Sequence, residues 1–439
     1  MWPQYLLEFI ILILLFLGLF KARQIIKASG WEGLGFFIGI FFFVFFPLIL
    51  ASILQVVEET LPSFPTTSFP LVILLIYLVE TYVVYAFLNL SSKDLPIRQN
   101  LQVSFNREAI VFWAALIFYF FTQIYVLFSS GVLAGGHWYR TRAEYLGDGG
   151  SLSTLLLFII WATRFLIVAY TYELLRSKKL TLLTAGLVVL AVCAYEFFLV
   201  GNRVVILMFG IAGFFYIYNT YGKKILTTIL LALIPVMIAL GVYEDVRSQL
   251  FSLTPITFIL ALINEVTNQG MLIGAAKVFE STALLIMLSL FDQVGQTIAP
   301  INGLSFLKIF TWFIPRGIWG AKPLPVTALV GNEYLPGKGV SLIPLFWGEV
   351  HYNFGFWGFL IYPIILVIIF KFFNWIGNKL KLNSYVKFLL GFSVFRLPVS
   401  DIIVSAIIMV IMYEIIIIVW QILPKKKTLS PAISEEGQA

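Results

Sequence analysis

Long, uninterrupted apolar runs recur along the whole chain and constrain its fold more than any other feature. A run of about 20 apolar residues is what an α-helix needs to cross a bilayer, whereas the strands of a membrane barrel alternate apolar and polar residues. The pattern therefore predicts an all-α polytopic membrane protein with about eleven transmembrane helices. The eleven runs lie near 5–20, 34–54, 70–90, 109–130, 154–175, 180–200, 204–220, 225–243, 354–373, 386–400 and 402–423.

Composition supports this fold class and excludes several functions. The chain of 439 residues is 60% hydrophobic and only 12% charged, whereas a soluble domain is about half apolar and about a quarter charged. Soluble enzymes, disordered proteins and nucleic-acid binders are therefore excluded. The single cysteine, Cys193, leaves no internal disulfide or CxxC pair. The first 20 residues lack the basic start and cleavage site of a signal peptide, so we expect a retained first span.

Basic residues gather in alternate gaps between the runs. By the positive-inside rule these gaps face the cytoplasm, which predicts a cytoplasmic (inner) membrane protein with its amino terminus outside and its carboxy terminus inside. The 18 residues concerned are Lys21, Arg23, Lys27, Lys93, Arg98, Arg107, Arg176, Lys178, Lys179, Lys223, Lys224, Lys371, Lys379, Lys381, Lys387, Lys425, Lys426 and Lys427.

The basic residues assigned to the outer side differ in kind, because six of ten are arginines. A guanidinium binds phosphate or carboxylate bidentately, which indicates an anionic ligand such as a lipid pyrophosphate. Alternatively, these arginines pair with outer acids or cap helix ends. The arginines are Arg140, Arg142, Arg203, Arg247, Arg316 and Arg396, and the candidate acids are Glu144, Asp148, Glu244, Asp245 and Asp401.

The runs divide the chain into four parts: eight spans within 1–243, a long outer loop at 244–353, three spans within 354–423 and a cytoplasmic tail at 424–439. Two apolar stretches in the loop, 255–263 and 271–291, are short or polar for spans and predict interfacial or re-entrant helices. The rest of the loop is rich in glycine and proline. A long ordered loop of this kind is usually functional.

Three motifs in and beside this loop resemble the Wzy-type oligosaccharide repeat-unit polymerases, the O-antigen and exopolysaccharide polymerases. They are Pro315-Arg316 with a following Lys322-Pro323, the Gly-Val-Ser-Leu-Ile-Pro turn at 339–344, and Gly-Glu-Val-His-Tyr-Asn-Phe-Gly at 348–355. The Gly-Asn-Arg step at 201–203 is similar to that family too. The match covers 201–203 and 313–355, and His351 departs from it where an aromatic or aliphatic residue is more usual.

The resemblance implies a fold like that of the GT-C membrane glycosyltransferases and a glycosyl transfer at the outer leaflet. The donor would be a polyprenyl-pyrophosphate-linked oligosaccharide and the acceptor another lipid-linked repeat unit, among membrane lipids and with a possible chain-length regulator. No nucleic acid is involved. The activated donor supplies the energy, so we expect no cofactor. The outer loops lack Asp-x-Asp, Glu-x-Asp and His-x-x-x-His patterns, so arginine rather than a metal ion would neutralise the pyrophosphate.

Particular residues are candidates for this chemistry. Arg316 is our first candidate for stabilising the leaving pyrophosphate, and Glu349 is the preferred base with His351 as its alternate. Glu349 could instead pair with Arg316 or Arg396. The further pyrophosphate candidates are Arg203, Arg396, Arg140 and Arg142, and the candidates for sugar binding are His137, Trp138, Tyr352 and Asn353. The aromatic loop of His137 and Trp138 equally suits anchoring at the membrane interface.

Two charged residues inside predicted spans have open roles. Arg164 forms either a salt bridge, with Glu80 or Glu196, or a ligand contact, and Glu414 has the same two alternatives. Other functions also remain open. An O-antigen-ligase-type transferase would share the long loop and its arginines, whereas a lipid-linked oligosaccharide flippase or secondary transporter would show internal repeats and polar sites near the midplane.

Overall fold

The structure, a computed structural model, confirms an all-α membrane protein. The described residues are nearly all helical and contain no strand beyond one isolated bridge between Val294 and Ile298. They comprise residues 2–53, 67–91, 105–129, 151–196, 204–221, 241, 243, 246, 255–269, 273–274, 277, 279–314, 318–337, 341–380 and 382–422.

The helices follow one another with short connections wherever the chain is described. Their bounds are α1 (Trp2–Phe20), α2 (Ala22–Ile40), α3 (Phe69–Ser91), α4 (Phe105–Ser129), α5 (Ser151–Arg176), α6 (Leu182–Tyr195), α7 (Val204–Tyr221), α8 (Pro255–Gln269), α9 (Ser281–Gln293), α10 (Leu304–Thr311), α11 (Val326–Tyr334), α12 (Leu345–Phe354), α13 (Gly358–Lys379), α14 (Ser384–Arg396) and α15 (Val399–Ile422). Two π-helical turns, Phe41–Phe45 and Ile49–Ile53, extend α2.

Within the described residues, seven helical segments are long and apolar enough to cross a membrane. They correspond to the predicted runs near 5–20, 34–54, 70–90, 109–130, 154–175, 354–373 and 402–423. The predicted runs at 180–200, 204–220 and 386–400 contain the shorter helices α6, α7 and α14. The run at 225–243 lies almost entirely outside the described residues.

Basic turns from different parts of the chain share one end of the helix bundle. Lys179, just after α5, forms an ion pair with Glu108 at the start of α4, with 3.5 Å between Lys179 Nζ and Glu108 Oε2. Asn383, between α13 and α14, donates a hydrogen bond from its side chain to Glu173 of α5. Three gaps that we assigned to the cytoplasm therefore meet at this end, which we call the basic end.

Close backbone packing fixes α14 against α2. A Cβ atom on Gly35 would lie 1.9 Å from the carbonyl oxygen of Phe388, and one on Gly391 would lie 1.8 Å from that of Glu32. Only glycine allows the two backbones to approach so closely. The packing holds α14 in place, and with it Arg396, the last residue of this helix.

The segment 281–354, from α9 to α12, forms a helical cap at the end of the bundle opposite the basic end. α12 does not extend α13 but doubles back along it: the chain turns at Gly355, whose φ is +55°, and the ring of Phe346 packs 5.6 Å from that of Tyr362. The sequence predicts that Glu349 lies one turn outside the span at 354–373. It lies instead beside the first turns of α13, because the turn reverses the direction of α12.

α9 and α12 run parallel inside the cap. A Cβ on Gly348 would lie 3.1 Å from Met287 Cγ, and one turn further along both helices the rings of His351 and Phe291 are 5.2 Å apart. α9 accounts for the apolar stretch predicted at 271–291. α9 is buried along most of its length. This burial favours a helix that is inserted among the others over one that lies on their surface.

Candidate functional site

The structure describes five of the predicted site residues, all in the cap or at its border. They are Glu349, His351, Tyr352 and Asn353 of α12, and Arg396 at the end of α14. The remaining predicted residues, Arg140, Arg142, Arg203, Arg316, His137 and Trp138, lie outside the described residues.

Glu349 connects three helices through its carboxylate. Oε1 accepts a hydrogen bond of 2.8 Å from the Ser305 hydroxyl of α10, and Oε2 accepts one of 2.8 Å from the backbone N–H of Val399, the first residue of α15. The side chain is fully buried. A carboxylate at the amino end of a helix compensates the exposed amides and the positive end of the helix dipole. In this geometry Glu349 fastens α10 and α15 to α12.

Asn353, one turn after Glu349, completes this network. Its amide donates to the Ser305 hydroxyl at 2.8 Å and to the backbone carbonyl of Glu349 at 2.7 Å, and its side-chain oxygen accepts from the Ser305 N–H at 3.2 Å. Lys308 of α10 adds an ion pair with Asp401 of α15. Asp401 was a candidate partner for an outer arginine, and its partner here is this lysine. α10 is thus held by contacts to both α12 and α15.

His351 points to a different face of α12, into an aromatic pocket. Its ring lies 5.2 Å from that of Phe291 and 6.2 Å from that of Phe359, and its Nδ1 is 3.4 Å from the Tyr77 hydroxyl of α3. Nε2 is buried and has no hydrogen-bond partner among the described residues. Glu349 and His351 therefore belong to separate environments and do not contact one site together.

Tyr352 borders a second, smaller apolar cluster under α11. Its ring packs with Ile286, Leu290 and Val330, and its hydroxyl donates to Glu333 Oε1 at 3.2 Å. Burial raises the pKa of the neighbouring Tyr334 to about 12, so this phenol stays protonated at neutral pH. Tyr352 thus connects α12 to α11 within the cap.

Arg396 pairs with Glu280, the residue that precedes α9. Its Nε lies 2.8 Å from Glu280 Oε1 and 3.0 Å from Oε2, and NH2 donates to Oε1 as well. Each side chain is 13% exposed, so the pair is not fully enclosed by the protein. Glu280 has a φ of +52° and its side chain makes no capping bond to α9.

Lys322 holds the loop that carries Arg316. Its ammonium donates to the carbonyl oxygens of Trp312 at 3.0 Å and of Ile314 at 2.9 Å, which follow the end of α10. Positions 315–317 lie outside the described residues. Lys322 follows this segment and contacts two residues before it, so it connects the two sides. The lysine of the Pro-Arg and Lys-Pro motif is therefore a structural brace of the loop.

Arg164 forms the salt bridge that we considered with Glu196. Its Nε lies 2.7 Å from Glu196 Oε1 and NH2 lies 2.8 Å from Oε2, and the two side chains are 4% and 0% exposed. Tyr119 and Gln123 of α4 also donate to Glu196. The structural alternative for Arg164 is confirmed. Glu414 pairs with Lys379 at 3.1 Å in a largely exposed position.

Sequence reasoning missed Ser281, Ser305 and the Val399 amide, because a serine or a backbone amide carries no signal of its own. Glu280 was visible only as a charge interrupting the apolar stretch 271–291. Within the described parts of the chain, no group of three or more His, Cys, Asp or Glu side chains is arranged to hold a metal ion.

Compared with profiles of known protein families, with curated proteins and with solved structures, the chain matches none.

Proposed function

We propose that this protein is a membrane glycosyltransferase that polymerises polyprenyl-pyrophosphate-linked oligosaccharide repeat units at the outer face of the cytoplasmic membrane. The observation that carries the proposal is the helical cap. The described parts of the polymerase-like motifs are 322–323, 341–344 and 348–355, and all of them lie in this unit or at the turn that ends it. α13 runs from the cap at Gly358 to the basic end at Lys379. By the positive-inside rule the basic end faces the cytoplasm, so we expect the cap on the outer side.

The eleven-span topology with the amino terminus outside is part of this proposal. Reporter fusions at position 300 test it, because we expect residues near Pro300 to face away from the cytoplasm. Cytoplasmic signals at that position would invert the topology and move the cap to the wrong side for a reaction on exported lipid-linked glycans.

The chemistry that we assign to the cap starts with charge neutralisation. As the bond between sugar and pyrophosphate breaks, negative charge develops on the pyrophosphate, and guanidinium groups of Arg316 and Arg396 stabilise it. Both oxygens of Glu349 are hydrogen-bonded within the buried network, so we assign to Glu349 the positioning of α10, from which the Arg316 loop emerges. Removal of the acceptor proton by Glu349 is the alternative.

The decisive assay incubates the purified protein, reconstituted in liposomes, with a defined polyprenyl-pyrophosphate oligosaccharide, with and without a chelator. A ladder of elongated products that persists with the chelator is expected. Arg316→Lys should abolish the ladder, whereas Lys379→Arg, in the exposed pair at the basic end, should leave it unchanged. Wild-type product lengths from Arg316→Lys would remove Arg316 from the site.

A flippase or transporter is the second candidate, because short buried helices such as α9 resemble the broken helices that are typical of transporters. The same liposomes distinguish the two. A flippase moves the labelled lipid to the other leaflet without elongation, whereas the polymerase elongates it. A ligase-type transferase yields product only when a different acceptor is supplied.

A further inference from the structure

Two helices of the cap begin beside the end of α14. Arg396, the last residue of α14, pairs with Glu280 directly before α9. The preceding residue, Phe395, packs its ring 5.1 Å from that of Trp347 in the first turn of α12. The amino end of α9 therefore lies directly beside the Arg396 guanidinium.

This arrangement produces a positive field in a confined place. The amino end of α9 presents backbone amides and the positive end of its dipole, and the guanidinium adds a full charge. The carboxylate of Glu280 now fills the guanidinium fork. Phosphate oxygens fit the same fork with the same bidentate geometry, so an anionic ligand and Glu280 compete for Arg396.

A second observation points to a ligand at this place. Ser281, the first residue of α9, is only 6% exposed, yet its hydroxyl has no hydrogen-bond partner among the described residues. Buried hydroxyls are normally paired, because an unpaired one costs about 1–3 kcal/mol. Two other buried serines follow this rule: Ser305 donates to Glu349 and Ser405 to the Asp401 carbonyl. The Ser281 hydroxyl is therefore available to a ligand oxygen.

The surroundings suit a lipid rather than a free anion. Phe279, next to Glu280, packs against Phe42 and Phe46 of the α2 extension, with ring centroids 4.7 Å and 4.5 Å apart, and Phe392 of α14 lies 5.9 Å from Phe42. These rings form an apolar wall beside the ion pair. A hydrocarbon chain attached to the anion would find contact there.

The Arg396 guanidinium also lies at the depth in the bilayer where lipid headgroups are found. α15 has 24 residues and is about 36 Å long at 1.5 Å per residue, enough to cross the roughly 30 Å hydrocarbon core. Arg396 lies three residues before its first residue, Val399. The guanidinium therefore lies near the end of a full-length span, where phosphate groups of lipids are found.

We propose that Arg396, the Ser281 hydroxyl and the amino end of α9 bind the phosphate headgroup of a lipid-linked substrate, and that Glu280 occupies Arg396 until the headgroup displaces it. The identity of the lipid as a polyprenyl-linked glycan rests on the proposed function. Glu280 acts as an internal competitor, so the empty site is neutralised and a newly arriving headgroup exchanges with it.

The test measures binding of two probes, inorganic pyrophosphate and polyprenyl pyrophosphate, to the full-length protein in nanodiscs. Glu280→Gln removes the competitor and should tighten binding about three- to tenfold. Ser281→Ala and Arg396→Lys should weaken it, Arg396→Lys by about tenfold or more. Glu414→Gln, which changes a distant carboxylate paired with Lys379, should leave both affinities unchanged.

The outcomes separate this inference from the proposed function. Unchanged affinity in both Glu280→Gln and Ser281→Ala overturns the inference, even if the wild type elongates glycans. Shifted affinities without elongation under any condition leave the inference standing and refute the polymerase. Equal affinity for the two probes overturns the assignment to a lipid headgroup. Ser281→Ala removes a hydroxyl that has no hydrogen-bond partner among the described residues, so this variant should fold like the wild type. The test therefore does not depend on whether Arg396→Lys folds.

Discussion

Two arginine–glutamate pairs in the described part of the chain have similar contact distances and different surroundings. The Nε–Oε1 distance is 2.7 Å for Arg164 and Glu196 and 2.8 Å for Arg396 and Glu280. Glu196 is fully buried and accepts further hydrogen bonds from Tyr119 and Gln123, whereas Glu280 is 13% exposed. The contact distance alone does not separate a structural pair from an exchangeable one, but burial and additional partners do.

The physical reason is the cost of separating the charges. Leaving one member of a fully buried pair alone places an uncompensated charge in an apolar interior, which the protein cannot hydrate. A pair that borders water or headgroups can exchange one partner for another anion with little loss. The first pair therefore stabilises the contact of α4, α5 and α6, and the second leaves a guanidinium that a ligand can take over.

The largest effect is expected from breaking the buried pair. Glu196→Gln leaves Arg164 charged and without its counterion and should lower the free energy of unfolding by about 3–5 kcal/mol. Thermal unfolding in detergent, together with the yield of monodisperse protein, measures this loss. Stability equal to the wild type would show that the pair is not structural and would remove the contrast between the two pairs.

A smaller but still large effect is expected at the cap network. Glu349→Ala removes the acceptor for Ser305 and for the Val399 amide and leaves two buried donors unpaired, which should cost about 2–4 kcal/mol. Glu349→Gln keeps an acceptor and the side-chain volume, so it should retain most of the stability.

The same two variants decide the role of Glu349. If it positions α10, Glu349→Gln keeps much of the elongation activity and Glu349→Ala loses it. An equal and complete loss of activity in both variants, with folding intact in Glu349→Gln, would instead identify Glu349 as the base.

Glu280→Gln should cost clearly less stability than Glu196→Gln, because its partner remains accessible to solvent and anions. We expect a loss of about 1 kcal/mol or less, measured in the same unfolding experiment. A loss as large as that of Glu196→Gln would mean that the two pairs are equivalent and that Glu280 is a fixed structural partner.

The smallest effect is expected for the exposed pair at the basic end. Lys379 and Glu414 are 45% and 41% exposed, so Glu414→Gln should change the free energy of unfolding by no more than about 0.5 kcal/mol. This variant also shows how small a change in the free energy of unfolding the comparison can resolve. A loss of several kcal/mol would indicate that Glu414 has a role in the span that the exposed pair does not explain.

Much of the bundle could be predicted from the sequence, because apolar length fixes a transmembrane helix nearly independently of its neighbours. The runs near 70–90, 354–373 and 402–423 coincide closely with α3, α13 and α15. The doubling back of α12 could not be predicted, since its apolar sequence suits an extension of α13 equally well. Only the turn at Gly355 and the packing of Phe346 on Tyr362 distinguish the two arrangements.

The candidate site was only partly visible for a similar reason. Helical spacing could have placed Glu349 and Asn353, four residues apart, on one face, and His351 on another. The partners of these residues come from distant segments: Ser305 is 44 residues from Glu349, and Glu280 is 116 residues from Arg396. No local pattern links such residues, so their pairing depends on how the cap packs on the bundle.

The contrast between the two pairs is tested most directly by the donor KM in the elongation assay, measured for the wild type and for Glu280→Gln. If Glu280 competes with the pyrophosphate for Arg396, its neutralisation lowers the KM for the polyprenyl-pyrophosphate donor about three- to tenfold, since the competing carboxylate charge is gone. An unchanged or increased KM in a stably folded Glu280→Gln variant would contradict the account.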